Sequence, residues 1–90
     1  LCMFMYMFYV YVLKSTKDTE LYIGSTKDLK NRLTEHNSGK VFSTAPRRPF
    51  ELVYYESYKN EKDARKREKS LKLRGNARRF LIERIKESIK

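Results

Sequence analysis

Between Phe8 and Leu13 the chain reads Phe-Tyr-Val-Tyr-Val-Leu, with no polar position of either parity. An extended segment points alternate side chains to opposite faces, so a strand made of these residues has to be covered on both sides. In a chain of 90 residues, most of what remains must supply that cover. One core is all that such a length supports, so the expectation is one domain over residues 1–90, with residues 1–6 as an N-terminal extension.

The punctuation along the chain gives the other elements. Ser15–Thr19 is a polar turn and Leu21–Gly24 a second short strand, which together with the first predict an antiparallel hairpin. Thr26 is a candidate cap for a helix from Lys27 to Ser38, with Asp28 in its first turn and Gly39 at its stop. Lys40–Pro49, which ends Ala-Pro-Arg-Arg-Pro, is predicted as a basic loop. Phe50–Tyr58 is again β-branched and aromatic, a third strand. Asn60 can cap a second helix ending near Leu73, and Arg74-Gly75 breaks it. Asn76 can cap a third, whose stripe is Phe80, Leu81, Ile82, Ile85 and Ile89. The predicted class is α/β (α+β): a small, three-stranded, mostly antiparallel sheet flanked by helices, in the order ββαβαα.

Helical phase picks out polar groups that point inward. With Leu29 at zero and about 100° per residue, Leu33 falls near about +40°, His36 near about −20° and Arg32 near about −60°. Arg32 and His36 therefore border the apolar stripe one turn apart. Such an Arg can lay its stem on the core with its head in water, and such a His can be an ordinary satisfied buried group. In the second helix, with Ala64 at zero, Leu71 lies near about −20° and Glu68 near about +40°. A carboxylate on a core stripe needs a cation, and Arg32, a lysine or a bound divalent metal would each serve. Tyr9 and Tyr11 share one face of the first strand, and Tyr22 stands two residues before Gly24; buried tyrosines in general pack and hydrogen-bond.

Charge indicates the partner. The formal net charge is +10, and residues 59–90 hold 13 basic and 5 acidic side chains, net +8, against net +2 before them. So uneven a positive charge repels itself unless a polyanion or solvent screens it, and nucleic acid is the natural polyanion. No basic segment faces a broad apolar stripe, which argues against a membrane surface. The apolar run Leu1–Leu13 is shorter than the ~20 residues that cross a bilayer and lacks the basic start of a signal peptide. A lone cysteine, Cys2, excludes an internal disulfide, and with one histidine it cannot build a Cys/His zinc site. The expected setting is intracellular, in the cytoplasm, with any metal held by carboxylate.

These pieces together resemble a known family. Tyr9-Val10-Tyr11, Tyr22-Ile23-Gly24, the Asp28–Leu33 segment containing Arg32, His36 one turn on, and Ala64–Glu68 are similar to the GIY-YIG nuclease domain. The likeness is to its small members, which are similar to the N-terminal module of an excinuclease. It runs from about Met7 to Ile89. The second triplet is literal, while the first is Tyr-Val-Tyr where the family's name has Gly-Ile-Tyr.

The resemblance implies phosphodiester hydrolysis in DNA with one Mg²⁺ or Mn²⁺, structure-selective and serving repair or recombination. By position it makes Tyr11 and Tyr22 the motif tyrosines, Arg32 the catalytic arginine, His36 a histidine found in part of the family, and Glu68 the metal-binding glutamate. Gly24 matches the glycine of the second triplet. An asparagine common in the family is replaced by Phe80. Mg²⁺ commonly binds through one carboxylate, waters and a substrate phosphate, so a single Glu is enough. In this reading Tyr11 is the general base, its pKa depressed by nearby cations; Tyr22 orients water or phosphate, and His36 is the rival base. Gly24, Lys27, Arg47, Arg48, Arg65 and Lys72 are assigned to nucleic-acid contact, and a protein partner would supply targeting. The same surface would also suit a catalytically weak or inactive nucleic-acid-binding module of this fold. A ribosome-associated RNA-binding protein would use the charge and ignore the motif residues.

Overall fold

The structure, a computed structural model, describes residues 6–90, so Cys2 and the rest of residues 1–5 lie outside the described residues. The central strand, β1 (Phe8–Ser15), pairs antiparallel with β2 (Leu21–Thr26) on one side and β3 (Phe50–Tyr58) on the other, giving the sheet order β2-β1-β3. Val10, Tyr11, Val12 and Leu13 are all buried, as a strand apolar on both faces requires. Both strands of the β1–β2 hairpin run on past their predicted ends, because backbone pairing continues through Lys14–Leu21 and Tyr9–Thr26 where the side chains turn polar.

Each face has its own cover. α1 (Leu29–Asn37) closes over Tyr11, Leu13 and Phe50 with Leu29 and Leu33. On the opposite face α2 (Glu61–Leu73), α3 (Gly75–Arg84) and the short α4 (Lys86–Ile89) bring Ala64, Leu71, Leu81 and Ile85 against Val10, Val12 and Ile23. Each fully buried Val or Leu contributes roughly 1.5–3 kcal/mol. Asn37 ties α1 to the start of β3, its amide donating to the Phe50 carbonyl at 3.0 Å and accepting from the Phe50 N–H at 2.6 Å. No helix among the described residues is long and apolar enough to cross a membrane.

Several boundaries differ from the sequence reading, each for a local reason. The cap of α1 is Asp28, whose carboxylate accepts from the Asn31 N–H at 3.1 Å; Thr26 instead accepts from the Asp28 N–H, one step earlier. Gly39 follows the helix with φ +80°, the left-handed conformation that glycine adopts freely. Asn60 caps α2 as expected, accepting from the Lys62 N–H at 2.8 Å. Asn76 does not cap α3. Arg74 holds that place in an extended conformation and Asn76 lies within the first turn. The terminal helix is interrupted at Ile85, so α4 continues it as a separate turn. Of the predicted stripe, Leu81, Ile85 and Ile89, spaced four apart, face the sheet; Phe80 and Ile82 lie about 100° to either side and are exposed. The basic loop contains a short 3₁₀ turn, Ala45–Arg47.

Candidate active site

Tyr11 opposes Gly24 across the β1–β2 ladder, and its phenol lies over that glycine. A Cβ at position 24 would sit 2.6 Å from Tyr11 Cζ, so only a bare backbone leaves the ring its room. Since β2 is an outer strand, the phenol reaches the edge of the sheet, where α1 from one face and α2 from the other converge.

From α1, His36 meets the phenol with Nε2 2.9 Å from Tyr11 Oη. The imidazole is fully buried, enclosed by the rings of Tyr22 (5.0 Å between centroids), Tyr11 (5.8 Å) and Phe50 (5.9 Å). Its Nδ1 lies 2.8 Å from Oγ1 of the buried Thr44. Burial, and then the Arg32 charge, push its pKa below the usual value of 6.5, against a smaller opposing effect of Glu35. His36 is therefore neutral at pH 7.

One turn earlier on α1, Arg32 donates from Nε to Tyr11 Oη at 3.4 Å and pairs through Nη1 with Glu35 at 3.1 Å. Its side chain is about one-third exposed, so one guanidinium spans from the buried phenol to solvent. Burial raises the Tyr11 pKa above 10, with the Arg32 hydrogen bond only partly offsetting it and the Tyr22 and Glu68 charges adding to it. The expected depression by cations is thus reversed, because removing a phenolate from water outweighs one cation at 3.4 Å.

Glu68 enters from α2. Ser25, on the strand face opposite Gly24, donates to Oε1 at 2.6 Å and Lys72 donates to Oε2 at 2.8 Å. Burial opposes ionisation of Glu68, but these two hydrogen bonds with the Lys72 and Arg65 charges prevail and hold its carboxyl below the usual range. Of the three cations that phase left open, the partner in the structure is a lysine; Arg32 pairs with Glu35 instead. Lys72 Nζ also lies 5.9 Å from the Tyr22 ring centre. Tyr11, Tyr22, Arg32, His36 and Glu68 thus gather at one edge of the sheet.

The residues assigned to nucleic acid divide. Lys27 and Arg65 are exposed and line a cleft of about 240 Å³ together with Ser25, beside the Glu68 carboxylate. Arg48 is exposed near the turn after α1, donating to the Ala45 carbonyl. Arg47 is half-buried and engaged within the chain, paired with Asp18 at 2.8 Å and stacked 5.5 Å over Phe50. Gly24 is buried and serves as space for Tyr11. Phe80 points into solvent with Arg79 stacked 4.6 Å over its ring, away from the cluster.

Three members of the cluster escaped the sequence reading. Glu35, three residues beyond Arg32, was legible from helical spacing, and Ser25 from strand alternation, which turns it toward α2. Thr44 carries no sequence signal, since it arrives from an aperiodic loop.

Among the described residues no group of three or more His, Cys, Asp or Glu stands ready to hold a metal. The donor chemistry nonetheless suits a hard divalent ion, because Glu68 offers carboxylate oxygen and is held only by a hydroxyl and a half-exposed lysine. Partly exposed pairs of that kind are worth about 0–1 kcal/mol, so Lys72 can yield its place.

The family described as the GIY-YIG catalytic domain matches residues 7–80. A UPF0213 protein of Pediococcus acidilactici is 48% identical over 60 residues, spanning 63% of this chain and 60% of that one. One from Staphylococcus saprophyticus is 42% identical over 65 residues, 71% of this chain and 78% of that one. Among solved structures, the solution NMR structure of a UPF0213 protein from Bacillus halodurans is similar at a TM-score of 0.53 and 33% identity, covering 86% of this chain and 83% of that one.

Proposed function

The chain belongs to the GIY-YIG family, and from that membership we propose that it is a divalent-metal-dependent DNA endonuclease, structure-selective and working in the repair or recombination of intracellular DNA. The observation that carries the reading is the joined set at the β2 edge: a buried phenol bonded at once to a neutral imidazole and a guanidinium, next to a carboxylate. A plain core would not build an ionisable chain of this kind beside an open edge.

Each residue has a task that its surroundings allow. Tyr11 is protonated at pH 7, so it cannot act as a standing phenolate; it takes a proton from water only while passing its own to His36 Nε2 at 2.9 Å. In that exchange a water O–H and the Tyr11 O–H break, and a new Tyr11 O–H and an imidazole N–H form. His36 Nε2 is already engaged by the Tyr11 phenol, so His36 acts through Tyr11 and the two rival bases of the sequence reading become one pair. Arg32, with its outer side in solvent, neutralises charge that develops on the scissile phosphate. Tyr22 packs against His36 and orients the attacking water or the phosphate. Glu68 would hold Mg²⁺ or Mn²⁺, which when bound stabilises the leaving oxygen and the phosphate charge. Lys27, Arg48, Arg65 and Lys72 contact the DNA backbone, giving affinity without sequence preference.

A second reading, a binding module of this fold with weak turnover, draws on one observation, the solvent-facing Phe80 where related enzymes often carry asparagine. Incubation with nicked, flapped and branched DNA and matching RNA, with and without Mg²⁺, separates the two. The nuclease reading expects metal-dependent cuts in DNA, reduced about 10²- to 10⁴-fold by Tyr11→Phe with DNA affinity unchanged. Binding without cutting on every substrate would leave the module reading.

A further inference from the structure

We infer that Thr44 is a positioning residue that fixes His36 in the Nδ1–H tautomer and so reserves Nε2 to receive the proton of Tyr11. The inference rests on the proposed nuclease reading for its catalytic consequence, but the tautomer itself follows from hydrogen bonds within the protein.

The chain Arg32–Tyr11–His36–Thr44–Val41 has both ends fixed by chemistry. Arg32 Nε can only donate, and it reaches Tyr11 Oη at 3.4 Å. The Val41 carbonyl can only accept, and Thr44 Oγ1 lies 3.4 Å from it. Between them lie the 2.9 Å contact of Tyr11 with His36 Nε2 and the 2.8 Å contact of His36 Nδ1 with Thr44 Oγ1. Only one direction satisfies every link: the guanidinium donates to the phenol, the phenol to Nε2, Nδ1–H to the threonine hydroxyl, and that hydroxyl to the carbonyl. In the reverse tautomer Nε2–H and Arg32 would both donate to Tyr11 Oη. The phenol's proton would then find no acceptor within the buried chain, and its second lone pair would be closed to an incoming water proton.

Thr44 is built to hold this direction. Its backbone N–H and that of Ala45 both bond to the Val41 carbonyl, at 3.1 and 2.9 Å, and its own carbonyl accepts from the Arg47 N–H at 2.9 Å. The hydroxyl is thereby fixed in a site where Thr44 is 1% exposed and His36 is fully buried. The other ionisable groups facing His36 are Tyr11 and Tyr22 from the sheet and Arg32 and Glu35 from its own helix. None of them touches Nδ1, so its protonation is set by Thr44.

The test reads the imidazole directly, by ¹⁵N NMR of labelled full-length protein above the His36 titration, together with cleavage kinetics on the best DNA substrate. In the wild type Nδ1 should carry the proton and Nε2 the lone pair. Thr44→Val, isosteric but unable to accept, should populate the Nε2–H form and lower kcat by roughly 10- to 100-fold with KM for DNA unchanged; Thr44→Ser should restore both signals. Should the valine variant not fold, the wild-type and serine spectra still decide. An Nε2–H tautomer in the wild type, or valine and wild-type spectra alike, would overturn the inference. A wild-type Nδ1–H tautomer in a protein that cuts nothing would count against the nuclease reading alone.

Discussion

Replacing Gly24 by Ala tests whether the phenol of Tyr11 is held where the chemistry needs it. The added methyl would stand 2.6 Å from Tyr11 Cζ, well inside van der Waals contact, and Tyr11 is 1% exposed among Tyr22 and His36. The ring has to move, since Gly24 has no positive φ and the conflict is purely one of space. Overpacking of this kind costs roughly 1–3 kcal/mol. A displaced phenol also leaves buried Nε2 unpaired, a further loss of roughly 1–3 kcal/mol. Together these give about 2–6 kcal/mol, a large share of the roughly 5–15 kcal/mol that ordinary domains possess. The urea midpoint should fall with little change in slope, and cleavage should fall with it. A double-mutant cycle isolates the cause: in a Tyr11→Leu background, which lacks the distal ring atoms, the alanine should cost under about 1 kcal/mol. Gly24→Ala at wild-type stability, or an equal loss in both backgrounds, would refute the reasoning.

Arg47→Ala should lower the melting temperature, since stacking of a guanidinium over a ring such as Phe50 is alone worth about 0.5–1 kcal/mol, whereas Arg48→Ala should leave it unchanged; equal effects in thermal melts would contradict the different packing of the two. DNA affinity should fall with salt by roughly 0.9 log units per contacted phosphate per log unit, and Arg48→Ala should reduce that slope by about 1, read by fluorescence anisotropy across a salt series. Because the folded His36 pKa lies below 6.5, the unfolded chain binds more protons as pH falls through that value. Its stabilising effect is present above pH 6.5 and is lost on acidification. Denaturation midpoints in the wild type should therefore drop between neutrality and mild acid, and His36→Gln should flatten that segment of the curve.

How far the sequence could be read depended on whether a residue's role is set by its own element or by a neighbour. The two-sided apolar run at Phe8–Leu13, the Asn60 cap and the phase of Leu71 are local features, and they gave strand, helix start and buried face correctly. His36 and Glu68 were legible in the same way, as polar residues at apolar phase. What phase could not say was which partner each would find, because that depends on how α1 and α2 approach the β2 edge from opposite faces. Lys72 rather than Arg32 beside Glu68 is one result, and Thr44 behind His36 is another. The C-terminal stripe erred for a simpler reason: counting Phe80 and Ile82 as core ignored that residues adjacent to Leu81 must turn about 100° away from it.

The most direct test is a side-by-side measurement on wild type and Glu68→Gln of Mg²⁺-dependent DNA cleavage, DNA affinity and melting temperature. Glutamine keeps a carbonyl oxygen for Ser25 and gives up only the pair with half-exposed Lys72, so stability should change by less than about 1 kcal/mol. Affinity should stay equal or tighten as a negative charge near phosphate is removed. Cleavage should vanish, because the carboxylate proposed to hold the divalent ion has become neutral. A folded Glu68→Gln protein that cuts DNA at the wild-type rate would contradict the account.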